Sequence, residues 1–211
     1  MRVFIFTYDR YDTISTPALF EGTGIDYTVL CHTDEAREKF IQGGRVKPDR
    51  LIASHAPKGL CNNRNAALEM MAEGEWALFL VDDMLSVTEL DTYDEETGDK
   101  IPVDTTNTTH FSRKFRKQAS MHEFMSRADE VRRMCLMLGA SLGGFAAYNN
   151  PLFRANKWVF NILADGRALV VKKTDLRWDT NVQTIDDYCF TAQNLQRFGT
   201  VVVNKWVEPK C

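Results

Sequence analysis

Residues 76–86 read WALFLVDDMLS, an apolar run that stops on two adjacent carboxylates, Asp82 and Asp83. A continuous apolar run of strand length is the mark of a strand buried on both faces, in a sheet with helices on each side. Two neighbouring carboxylates repel each other, and partial burial makes each of them costly. Either a positive group meets the pair at the strand end, or the pair is a solvated start to a loop.

Working outward, residues 3–7 form a similar apolar run and read as a first strand. Residues 17–20 read as a short helix, and 27–31 as a second strand. Thr33 or Asp34 is placed to cap a helix reaching Gln42, which Gly43-Gly44 ends. Residues 51–54 read as a third short strand, and the loop HAPKGLCNN leads into a helix expected over 64–71, with Ala66, Ala67, Met70 and Met71 at helical spacing. Strands alternating with helices predict an α/β fold, a mainly parallel sheet flanked by helices on both faces.

Beyond Leu85 the character changes. Residues 89–109 are acidic, polar and turn-rich, a hairpin excursion or a loop. The basic stretch HFSRKFRKQAS follows, and then a helix expected over 121–138. Residues 142–148 predict a strand with a tight backbone approach at Gly143-Gly144. Further strands are expected over 169–173 and 200–206, with a helix over 186–198 ended by Gly199.

The chain has 211 residues, enough for one substantial domain, with 44% hydrophobic and 26% charged residues, which argues against overall disorder. Its net charge of -3 does not announce a nucleic-acid binder, although local patches outweigh totals. No apolar stretch approaches bilayer-spanning length, and MRVFIFTYDR is too short and strand-like for a signal peptide, so the expectation is a cytoplasmic protein without a membrane partner. The five cysteines lack CxxC spacing and fit reduced thiols.

Ligands of open α/β sheets gather at the carboxyl ends of the strands. If the first four strands are parallel, one edge collects Thr7, Tyr8 and Arg10, His32-Thr33-Asp34, the loop bearing Lys58, Arg64 and Asn65, and finally Asp82 and Asp83. An aromatic face, cations, hydroxyl and amide groups and a carboxylate pair suit a nucleotide diphosphate bridged to Mg2+ or Mn2+. Each feature also has an ordinary reading: a polar loop start, a surface ion pair, a core tyrosine. No GxxxxGK[ST] or GxGxxG motif is present.

FIFTYDRYDT, PKGLCNNRNAAL and ALFLVDDM, in this order, resemble glycosyltransferases of the GT-A fold, and more narrowly the TET/JBP-associated glycosyltransferases, many of them from phages. The likeness extends to TIDDYCFTAQNLQRFG, similar to the acidic segment beside the acceptor. It implies a single GT-A-like, Rossmann-type domain, with residues 1–88 binding a nucleotide sugar such as a UDP-sugar and 89–211 binding the acceptor. Implied roles are metal binding for Asp83, and donor binding for Thr7, Tyr8, Arg10, Lys58, Arg64, Asn65 and Asp82. Two departures stand out: Val81 occupies the first position of the DxD pattern, and no histidine follows His122 to act as a C-terminal metal ligand.

The implied reaction moves a sugar to a hydroxymethylated pyrimidine in DNA, 5-hydroxymethylcytosine foremost, in the host cytoplasm if the protein is phage-encoded. The diphosphate leaves with growing negative charge, which a divalent cation and Arg64 would stabilise, while Asp186 or Asp187 takes the acceptor proton if the configuration inverts. Arg113, Lys114, Arg116 and Lys117, interleaved with Phe111 and Phe115, would grip DNA, and Arg127, Arg132 and Arg133 would extend the patch. A solvated basic helix face accounts for the same run. Two other functions fit the residues: the same chemistry on a protein, glycan or small molecule, and a non-catalytic nucleic-acid-binding module.

Overall fold

Strand β1 (Arg2–Phe6) sends Val3 and Ile5 to one face and Phe4 and Phe6 to the other, and all four are buried. Burial on both faces demands cover on both faces. On the first, helices α1 (Asp34–Gly43) and α3 (Met121–Leu138) contribute Phe40, Phe124, Ala128 and Val131. On the second, α2 (Leu60–Glu69) and α4 (Asp186–Phe198) contribute Ala67, Leu68 and Phe190. The computed structural model describes residues 1–90, 116–146, 157–182 and 185–211.

The chain continues through β2 (Thr28–Cys31), β3 (Leu51–Ala53), β4 (Trp76–Val81), β5 (Ser86–Leu90), β6 (Arg116–Ala119), β7 (Leu142–Phe145), β8 (Trp158–Phe160), β9 (Ala168–Lys172), β10 (Val202–Asn204) and β11 (Val207–Lys210). Eight strands form one sheet in the order β3-β2-β1-β4-β9-β7-β10-β8, while β11-β5-β6 form a small antiparallel sheet. Strands β3, β2, β1 and β4 are mutually parallel, and β7 and β10 share their direction; β9 and β8 run against it. The fold is therefore α/β with a mixed, mostly parallel sheet to which both halves of the chain contribute.

The order 3-2-1-4 fixes a switch point. From β1 the chain moves outward through β2 to β3, then crosses back to place β4 on the other side of β1. The crossover helices α1 and α2 lie on opposite faces, so a crevice opens at the carboxyl ends of β1 and β4, where such sheets bind ligands.

Local signals explain most boundaries. Thr33 caps α1 by accepting from the Ala36 amide, and left-handed Gly44 ends the helix. Ser120 and Glu123 form a capping box at α3. Gly143 fits a close approach of α3 to β7, because a Cβ there would lie 2.3 Å from a Val131 methyl and 3.0 Å from the Cys135 sulfur. Three expectations need correction. Helix α2 begins at Leu60, four residues before Arg64, because packing of Cys61 and Asn63 overrides the loop-like Asn62-Asn63 pair. The last expected strand is shorter, β10 alone, since Lys205-Trp206 turn the chain out of the large sheet and into β11 of the small one, a strand not expected. The basic stretch ends in strand β6 rather than opening a helix face.

Candidate donor site at the sheet rim

The backbone under the aspartate pair is clamped from below. The Ser15 and Thr16 amides both donate to the Asp82 carbonyl, at 2.9 and 3.1 Å. The Thr16 hydroxyl donates to the Val81 carbonyl at 2.7 Å and accepts from the Met84 amide at 2.9 Å. The carboxylates therefore project from a fixed ledge at the switch point.

Asp82 is buried and accepts from the Thr7 hydroxyl at 2.7 Å. Burial pushes its carboxyl above the usual range, against the opposing pull of Thr7 and Arg10. Asp83 is more open, with its side chain 39% exposed. A single nitrogen, Nη1 of Arg10, lies 3.2 Å from Asp82 and 2.5 Å from Asp83, on a side chain 47% exposed. This guanidinium offsets one of the doublet's two charges.

Arg10 ends a loop whose Asp9 has a φ of 51°, a strained conformation for a residue with a Cβ. Asp9 accepts from the Tyr11 hydroxyl at 2.7 Å and pairs with Lys58 at 3.1 Å. Lys58 also lies over the Tyr8 ring, 4.6 Å from its centroid. Tyr8, Lys58, Leu60, Cys61, Asn62 and Thr180 line an open groove of about 510 Å³ along this rim. Asn63 ties the ends of β2 and β3 together, accepting from Ser54 at 2.6 Å and donating to the Leu30 carbonyl at 3.4 Å.

The other side of the crevice is built by strand β9. Because β9 runs antiparallel to β4, its lead-in, residues 165–167, reaches the rim where β4 ends, and the Val81 amide donates to the Arg167 carbonyl at 3.1 Å. Arg64 donates to the adjacent Gly166 carbonyl at 2.8 Å and forms an ion pair with Asp186 at the start of α4. Asp187 accepts from the Gly166 amide at 3.2 Å. Gly166 has to be small here, as a Cβ would come 3.0 Å from the Arg64 guanidinium. Asp165 pairs with Arg167 at 2.7 Å, and Asp83, Arg167 and Asp165 all lie within electrostatic reach of the Cys211 side chain.

The rim thus brings together Thr7, Tyr8, Arg10, Lys58, Asp82 and Asp83, with Asp186 and Asp187 beside them. Two expected donor ligands have structural employment instead. Arg64 is 2% exposed and directed at Asp186, because α2 starts a turn earlier and puts it on the inward face. Asn65 holds both the Trp178 amide and carbonyl, each at 2.9 Å, in a loop whose ring stacks on Phe190 at 3.6 Å. Arg113, Lys114, Phe111 and Phe115 lie outside the described residues. Arg116 is placed by its backbone opposite Leu90, and Lys117 is paired with Glu123 at 3.1 Å. Arg127 pairs with Glu89 and Glu130, and Arg132 and Arg133 with Asp129, so these three do not form an uncompensated basic patch.

Sequence reading overlooked Asp165, Gly166 and Arg167. The signal available for them was the turn-like Ala-Asp-Gly-Arg before an apolar run. Among the described residues, no three His, Cys, Asp or Glu side chains gather into a cage for a metal, and no helix is long and apolar enough to cross a membrane. The donor set instead suits a hard cation held by one or two carboxylates and completed by phosphate oxygens and water. The position of Arg10 Nη1 shows that a single cationic centre can meet both Asp82 and Asp83. No protein-family model matches the chain, and no curated protein matches it in sequence.

Proposed function

We propose that the rim is the donor site of a metal-dependent glycosyltransferase of GT-A type, taking a sugar from a nucleotide diphosphate, UDP foremost. The observation that carries this reading is the convergence of Asp82, Asp83 and Arg10 at the switch point between β1 and β4. The groove beside them offers the exposed Tyr8 ring for a base and Lys58 for a phosphate. Asp83, with Asp82 beside it, would hold Mn2+ or Mg2+, which when bound supplies Lewis-acid stabilisation of the departing diphosphate.

The chain's own residues divide the remaining work. Arg10 and Lys58 attract the diphosphate, and Thr7 keeps Asp82 oriented. If the configuration inverts, Asp186, with one oxygen held by Arg64, takes the proton of the acceptor hydroxyl as the hydroxyl oxygen bonds to the anomeric carbon and that carbon's bond to the diphosphate breaks. Arg64 acts through Asp186 as a positioning residue.

The acceptor proposed is a hydroxymethylated pyrimidine in DNA, most readily 5-hydroxymethylcytosine, supported by the sequence resemblance. A second reading keeps the chemistry with a protein, glycan or small-molecule acceptor; the neutralisation of Arg127, Arg132, Arg133 and Lys117 by acidic partners favours it. One experiment separates them: a nucleotide-sugar panel with Mn2+ and either unmodified or hydroxymethylated DNA, read by mass of the digested nucleosides. A hexosylated nucleoside from modified DNA alone is expected, lost by about 100-fold in Asp83→Asn. Donor turnover that ignores DNA would move the acceptor elsewhere, and no turnover with any donor would overturn the transferase.

A further inference from the structure

We infer that Arg10 is an internal competitor for the divalent cation, so that the cation enters the site together with the nucleotide diphosphate and not before it. This rests on the donor-site reading above and concerns the order in which that site fills. Nη1 of Arg10 occupies the point where one charge centre reaches both carboxylates, 3.2 Å from Asp82 and 2.5 Å from Asp83. A cation bound there through both aspartates must displace it.

Charge bookkeeping sets the sequence of events. Two carboxylates and one guanidinium leave a net charge of about -1 at the doublet, a poor lure for a divalent ion compared with about -2 without the arginine. A lone divalent ion entering would also face a displaced guanidinium with no new partner. When the ion arrives on a diphosphate, the same guanidinium exchanges carboxylate oxygens for phosphate oxygens, which its planar fork of N–H donors can bind in pairs. Each charge then has a partner before and after the exchange.

The geometry permits the swing. The Arg10 side chain is half-exposed, and the loop carrying it is held by Asp9 contacts to Tyr11 and Lys58 and by the Arg10 carbonyl, which accepts from the Thr13 and Ile14 amides, none of which engages the guanidinium. Arg64 offers the contrast: fully buried, bound to Asp186 and to the Gly166 carbonyl, it cannot exchange partners without opening the core.

The test is Mn2+ binding, followed by the electron paramagnetic resonance signal of free Mn2+, with and without UDP, for the wild type, Arg10→Gln, Arg10→Lys and Asp83→Asn. Without UDP, Arg10→Gln is expected to bind Mn2+ up to about fivefold more tightly than the wild type, an effect the size of one surface charge pair. Arg10→Lys, which keeps the competing charge, should stay close to the wild type, and UDP should tighten wild-type Mn2+ binding more than that of Arg10→Gln. Equal or weaker binding by Arg10→Gln, or Arg10→Lys behaving like Arg10→Gln, overturns the competition while leaving a metal at Asp83 intact. Wild-type protein that binds no Mn2+ even with UDP, or binds it unchanged in Asp83→Asn, overturns the metal site itself and this inference with it.

Discussion

Two aspartate doublets stand at the rim, and each is met by one arginine, but in opposite surroundings. Asp82-Asp83 ends a strand and faces Arg10, which is 47% exposed; Asp186-Asp187 opens a helix and faces Arg64, which is 2% exposed. An exposed guanidinium can change partners at little cost, whereas a buried one is fixed by the absence of water to replace its partner. The first pair is suited to exchange partners with a ligand, while the second is fixed in place, Asp186 by Arg64 and Asp187 by the Gly166 amide. Burial works against the Arg64 charge, and Asp186 beside it offsets that pull.

Stability should separate the two most widely. Replacing Arg64 by Ala leaves Asp186 without its partner in a site where its side chain is only 13% exposed, an expected loss of about 3–5 kcal/mol. Arg10→Ala should cost about 0–1 kcal/mol, as for other exposed pairs. Urea denaturation of the two variants in one buffer measures the difference. Equal losses would erase the distinction between the two doublets.

A smaller effect is expected where the second doublet touches β9. Gly166→Ala places a methyl 3.0 Å from the Arg64 guanidinium and 3.5 Å from the Asp187 Cβ. Overpacking of this kind costs about 1–3 kcal/mol. Because Arg64 and Gly166 share the contact, the loss in the double variant Arg64→Ala, Gly166→Ala should fall short of the sum of the single losses. Strict additivity in the same denaturation series would show that the glycine is not there for the arginine.

The doublets also mark how far the sequence could be read. Strands β1 to β4, α1, α3 and α4 were legible because apolar runs of strand length, helical spacing and terminal residues such as Thr33 and Gly199 carry their own signals. Asp82 and Asp83 were legible as a candidate site because a parallel strand delivers its end to the rim. Asp165–Arg167 were not, since an antiparallel strand delivers its beginning, and strand direction is decided by pairing across the sheet. The inward turn of Arg64 depended on where α2 starts, which packing of Cys61 and Asn63 settled. Strand β11 escaped because Pro209 reads as a breaker; at the edge of the small sheet a proline is tolerated.

The finest distinction lies within the first doublet and shows only through pH. Burial raises the Asp82 carboxyl above its ordinary value, so the folded state holds this proton more tightly than the unfolded chain does. Asp82 therefore weakens the fold as pH rises from its ordinary value of about 4 through the raised one, and the penalty vanishes below that window. Glu123 has the opposite sign: the Ser120 amide and hydroxyl and Lys117 hold its carboxyl down at about 2, so its stabilisation is present above the ordinary value and lost as pH falls toward 2. The stability of Asp82→Asn relative to wild type should accordingly decline as the buffer is acidified, because the wild type recovers what burial costs it. The deficit of Glu123→Gln should shrink over the same titration, as the wild type loses its cap. Taking each variant against the wild type at each pH cancels the remaining carboxylates. A gap for Asp82→Asn that stays flat from neutral pH into the acid range would mean the carboxylate is as well solvated in the fold as outside it.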